Sequence, residues 1–90
     1  MKMSHKLGNR KPAEVIHPSI YLKDELKARH WDNIWYLNYI FGPHSLDIID
    51  IIYNGASITD KTARVIAKEL GTSAELWLNL QKAWDERNKP

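Results

Sequence analysis

The stretch that most constrains the fold is Leu46-Asp47-Ile48-Ile49-Asp50-Ile51-Ile52-Tyr53-Asn54-Gly55, an apolar run interrupted by two acids and closed by a turn dipeptide. Its β-branched residues suit a strand, and periodicity alone does not separate a short buried strand from a buried helix. The flanks decide for a helix. Gly42-Pro43 stops the preceding element, His44 or Ser45 caps a new one, and Asn54-Gly55 supplies the left-handed residue that commonly ends a helix. On a helical wheel Ile48, Ile49, Ile52 and Tyr53 share the inward arc with Leu46 at its edge, and Asp47, Asp50 and Ile51 point outward.

The same signals divide the rest of the chain into helices. His17-Pro18 opens the first, because proline fits a helix start where its missing N–H is not needed. Ile20, Tyr21, Leu22, Leu26 and Ala28 run along it, with Lys23, Asp24, Lys27 and Arg29 facing water. Asp32 or Asn33 caps the second, which runs to Phe41. Ile34, Leu37, Ile40 and Phe41 form its inward arc, leaving Trp35 and Tyr39 one turn apart on the outside beside Asn38, with Tyr36 at the boundary. Two large aromatics so placed make a patch, and exposed apolar patches mark contact sites. Thr59 caps the fourth helix, whose inward stripe is Ala63, Ile66, Ala67 and Leu70; Gly71 ends it, and Lys61, Arg64 and Lys68 line its outer side. Ser73 caps the fifth. Its inward arc is Leu76, Leu80, Ala83 and Trp84 with Trp77 at the border, and Leu78 falls outside. This layout is an all-α, five-helix bundle over residues 17–86.

Residues 1–16 hold Gly8 and Pro12 and lack helical periodicity, so they read as a flexible basic arm; residues 87–90 read as a frayed tail. Ninety residues make one domain near the lower limit for an unstapled core. There is no cysteine, and the four histidines lack the paired spacing of a zinc site, so neither metal nor other cofactor is expected. With no bilayer-length apolar stretch and no signal-peptide pattern, a cytoplasmic location is the default. His44 near Asp47, or His17 near Glu14, is the only pairing with the outline of a base and its orienting carboxylate. No nucleophile elbow, phosphate loop or metal constellation accompanies either, so an enzyme is not expected.

A short helix after a tight turn is the second element of a helix-turn-helix, and its outward face normally reads DNA. Beyond this pattern, His17-Pro18, Asn54-Gly55, Ile58-Thr59 followed by Thr62-Ala63, and above all Leu70-Gly71-Thr72-Ser73-Ala74-Glu75-Leu76-Trp77-Leu78-Asn79-Leu80-Gln81 form a set of motifs. From His17 to Asp85 the chain resembles the HigA-type antitoxins of the XRE helix-turn-helix superfamily. The resemblance implies a lambda-repressor-like fold and a homodimer that binds palindromic operator DNA to repress its own operon. It also implies a partner toxin, commonly an mRNA-cleaving RNase, which the protein neutralises.

On that reading the DNA-facing residues are Asn33 and His44 at two helix starts, Ser45, Asp47, Asp50 and Asn54 along the central helix, Lys61 and Arg64 on the fourth, and Arg10 and Lys11 on the arm. Trp35, Tyr39, Ile51, Leu78 and Trp84 are left for a partner or dimer interface. The chain departs from the family in being about two residues longer ahead of Asn54. It also places acids where the family usually has glutamine, arginine, threonine or serine. Residues 31–55 contain Asp32, Asp47 and Asp50 and neither lysine nor arginine. An acidic face weakens binding to every phosphate backbone. The alternative is therefore a protein-binding module on the same scaffold, gripping a partner through Trp35, Tyr39 and Ile51.

Overall fold

The computed structural model describes residues 15–89. They form α1 (Pro18–Ala28), α2 (Ile34–Phe41), α3 (Ser45–Asn54), α4 (Asp60–Leu70) and α5 (Ala74–Arg87), with no strand among the described residues. The expectation of five separated helices is corrected in one respect. A single 3-10 turn, Gly42–His44, joins α2 to α3 without a non-helical residue, so the helical backbone makes four uninterrupted runs. The basic arm with Arg10 and Lys11, and Glu14, lie outside the described residues.

Local chemistry sets each boundary. His17 caps α1, its Nδ1 accepting from the Ser19 backbone N–H at 3.0 Å, and Pro18 follows at the first helical position. The end of α1 carries no glycine. His30 takes the left-handed conformation instead (φ 60°), and the Trp31 N–H returns to the Leu26 carbonyl at 2.8 Å. Asn33 caps α2 through the Tyr36 N–H at 3.0 Å. Gly55, at φ 68°, ends α3 and donates to the Ile51 carbonyl. At the start of α4, Thr59 and Thr62 exchange reciprocal bonds: Thr59 N–H to Thr62 Oγ1 at 2.8 Å, and Thr62 N–H to Thr59 Oγ1 at 3.3 Å. Ser73 caps α5 by accepting from the Leu76 N–H at 3.1 Å.

One core joins all five helices: Leu22 and Leu26 from α1, Leu37 and Phe41 from α2, Ile48, Ile51 and Ile52 from α3, Ala63, Ile66 and Leu70 from α4, and Trp77 from α5, with Ile58 from the connection before α4. The stripe read for α4 is the one buried. The other four faces differ from the sequence reading. In α3 the inward arc is Ser45, Ile48, Ile51 and Ile52, so Ile51 is core at 1% exposure, and Tyr53 and Leu46 stand outside. In α2 and α1, Ile34 and Ile20 are exposed. In α5 the buried residues are Trp77 and Gln81, while Leu76, Leu78, Leu80 and Trp84 are half-buried and Ala83 is exposed.

Polar satisfaction explains the turn of α5. Trp77 Nε1 donates to Thr72 Oγ1 at 2.9 Å, so the largest side chain enters the core with its N–H paired. Gln81 Oε1 accepts from the Ile58 backbone N–H at 2.8 Å, and its Nε2 donates to Asp85 Oδ1 at 3.0 Å. A buried glutamine thereby satisfies a loop N–H that no helix reaches. Arg29 likewise turns inward rather than facing water. It bridges buried Glu25 at 3.3 Å, donates to the Leu70 carbonyl at 3.1 Å, and lies 5.1 Å from the centre of the Trp31 ring.

His17 ties α1 to α5, its ring edge-on to Trp84 with centroids 5.3 Å apart. Burial lowers its pKa from 6.5, against an opposing pull from Asp85. The unfolded chain then binds the proton more readily than the folded one, so stability is fully present above 6.5 and is lost as pH falls through the folded value. Protonation also removes the acceptor that caps α1. The melting temperature is expected to drop as pH is lowered through this window, and His17→Asn, a cap that does not titrate, is expected to flatten that step. An unchanged step in the variant would assign it to other groups.

Candidate interaction surface

Two neighbouring surfaces gather most of the residues singled out by sequence. The first is the outer side of α3. Because Ser45, Ile48, Ile51 and Ile52 are committed to the core, the opposite side presents Leu46 (77% exposed), Asp47, Asp50, Tyr53 (63%) and Asn54. Ser45 is buried, which removes it from the contact set, and Ile51 is removed for the same reason. The apolar run offers more isoleucines than one face can hold, and Ser45 lies on the side of α3 that buries Ile48 and Ile52, three and seven residues on.

Electrostatics on this side are nearly self-contained. Asp47 Oδ2 lies 3.3 Å from Lys61 Nζ in the first turn of α4, and Asp50 Oδ1 accepts from Asn54 Nδ2 at 2.8 Å, one turn along α3. Both contacts are exposed, and exposed ion pairs contribute little to stability. Their consequence is for the surface: Lys61 beside the outer side of α3 already faces a carboxylate. A groove between α3 and the start of α4 is lined by Asp47, Asp50, Thr59 and Lys61. Arg64 and Lys68 are exposed farther along α4. His44 is half-buried at the start of α3 and makes no side-chain capping bond. Asn33 is occupied in capping α2.

The second surface is the outer side of α2. Trp35 is 81% and Tyr39 85% exposed, and with Tyr36 and Asn33 they line a shallow hollow. The sequence placed this patch correctly. Leu78 and Trp84, the interface candidates read on the fifth helix, lie on α5 and are half-buried, Leu78 against the core and Trp84 against His17. A cleft between α1 and the end of α3, lined by Lys23, Lys27, Asp32, Ile52 and Tyr53, was not foreseen. Its only sequence signal was the like-charged pair Lys23 and Lys27, one turn apart.

The chain matches no protein-family model, no curated protein and no solved structure. Among the described residues no helix is long and apolar enough to cross a membrane, and no group of His, Cys, Asp and Glu is arranged to hold a metal ion.

Proposed function

We propose that the chain is a HigA-type helix-turn-helix regulator that binds operator DNA as a dimer and holds a toxin-type protein partner. The observation that carries this reading is the α2, turn, α3 unit. A three-residue turn containing Gly42 joins the helices, α3 buries one side, and the opposite side with Leu46, Asp47, Asp50 and Asn54 is clear of the fold. A helix that enters a major groove needs such a clear side. Arg64 and Lys68 supply positive charge on the exposed side of α4. The partner toxin rests on the sequence resemblance alone.

The test is amide chemical-shift mapping with the duplex that flanks the gene. Shifts concentrated on Leu46, Asp47, Asp50, Asn54 and the first turn of α4 are expected. Shifts confined to α1 or α5 would reject this docking.

A second reading is favoured by the Asp47–Lys61 pair. On an outer side where Leu46 and Tyr53 stand among carboxylates, a basic protein surface fits better than a polyanion. The scaffold would then serve protein recognition, with the anchors moved from buried Ile51 to Leu46 and Tyr53.

A further inference from the structure

We infer that the cleft between α1 and the end of α3 binds a free α-amino acid with an aromatic side chain. The inference is independent of the proposed function. The cleft has a volume of about 210 Å³. That is below the range of about 300–1,000 Å³ for drug-sized ligands and above the roughly 150 Å³ of a cavity that accommodates benzene. One aromatic side chain therefore fits, with its polar end left at the mouth. Leu26 and Ile52, both buried, form the apolar floor, and the Tyr53 ring, well exposed, stands beside them.

Charge at the rim is of both signs, and it selects the ligand class. Lys23 and Lys27 stand one turn apart on α1, both exposed, and Asp32 is exposed beyond its end. No ion pair among the described residues involves any of the three. Two like charges at that spacing repel, and a carboxylate between them relieves the repulsion. An ammonium is favoured beside Asp32, and the helix ends favour it as well. Lys27 lies in the last turn of α1, and Ile52 and Tyr53 lie near the end of α3, whose last turn has no basic residue. The partial negative charge of a helix C-terminus attracts a cation. Asp24, also at the rim, is already engaged within the chain. A simple acid leaves Asp32 without a partner, and a simple amine leaves the lysines so. An α-amino acid answers both, and its side chain reaches the floor.

An NMR titration of the isotope-labelled full chain with phenylalanine tests this. Amide shifts are expected at Leu26, Lys27, Ile52 and Tyr53, saturating with a Kd on the order of 1 mM, ordinary for a ligand of this size. Hydrocinnamate, the same molecule without the ammonium, and phenethylamine, without the carboxylate, are each expected to bind about tenfold more weakly. Glycine, which lacks the side chain, should leave the spectrum unchanged. Lys23→Gln/Lys27→Gln is expected to weaken phenylalanine about tenfold. Asp32→Asn should weaken phenylalanine by a similar factor but leave hydrocinnamate unaffected, a contrast that a misfolded variant does not give. Absence of these shifts at tens of millimolar phenylalanine would overturn the inference. N-acetylphenylalanine binding as tightly as phenylalanine would overturn it too, by giving the cleft to the carboxy-terminus of a peptide. Charge variants that bind phenylalanine like the wild type would do the same, by placing the ligand elsewhere.

Discussion

Trp77→Ala is expected to cost about 3–5 kcal/mol, the range for removing a buried indole from a core. A domain of this size has about 5–15 kcal/mol to lose. The expectation rests on position: Trp77 is fully buried, is the largest side chain in the core, and reaches it from α5, the last helix in chain order. Its removal loosens the packing of α5 on α4 and strands Thr72 Oγ1, which accepts the indole N–H. Trp77→Phe separates these contributions, since it keeps much of the ring volume and loses only the hydrogen bond and part of the contact, about 1–2 kcal/mol. Urea unfolding followed by circular dichroism at 222 nm, a wavelength set by the helical backbone, reads both variants. With no disulfide to hold α5 in place, Trp77→Ala is expected to be largely unfolded at physiological temperature. A midpoint near that of the wild type would mean that the core lies elsewhere.

The second large effect concerns the charge of α3. Asp47→Asn/Asp50→Asn is expected to tighten binding to duplex DNA about 25-fold at low salt. Each carboxylate beside a phosphate is repelled by about 1 kcal/mol in water, or about fivefold in Kd. Asp47→Asn also releases Lys61 from its 3.3 Å pairing, so a cation is gained where an anion is lost. The gain should shrink as salt rises, because it is wholly electrostatic. Glu75→Gln/Glu86→Gln, the same charge change at two exposed positions of α5, serves as the control and should leave affinity nearly unchanged. Equal effects at both sites would show that only net charge matters and that α3 does not face the phosphates.

Helix positions were legible because their boundaries are written in local chemistry. Pro18, Asn33, Thr59 and Ser73 each sit where a cap or first turn requires them, and Gly55 and Gly71 stand at left-handed φ. The α4 stripe was legible because its alanines, isoleucine and leucine alternate with charges. Facing was harder wherever apolar residues outnumber the space on one side. In α3 six apolar or aromatic side chains compete for an arc that holds three, and the pattern does not tell Ile51 from Ile49. Nor does hydropathy announce a polar residue turned inward to complete another element's hydrogen bonds, as Gln81 does for Ile58 and Arg29 for Leu70. Such pairings join residues distant in the chain and exist only once the helices pack.

The candidate surface divides along the same line. The aromatic patch on α2 was readable because i and i+4 spacing fixes a shared side whatever the tertiary structure. The acidity of α3 was readable from composition. That Asp47 reaches Lys61, and that Ser45 is consumed by the core, depend on how α3 meets α4, which no local pattern encodes.

The most direct measurement is fluorescence anisotropy of a labelled duplex from the region flanking the gene, titrated with the full chain beside a scrambled duplex of equal length, at low and at physiological salt. The proposed function predicts saturable binding that favours the native sequence and weakens steeply as salt is raised. Equal or absent binding to both duplexes at low salt would contradict it and turn the outer side of α3 over to a basic protein partner.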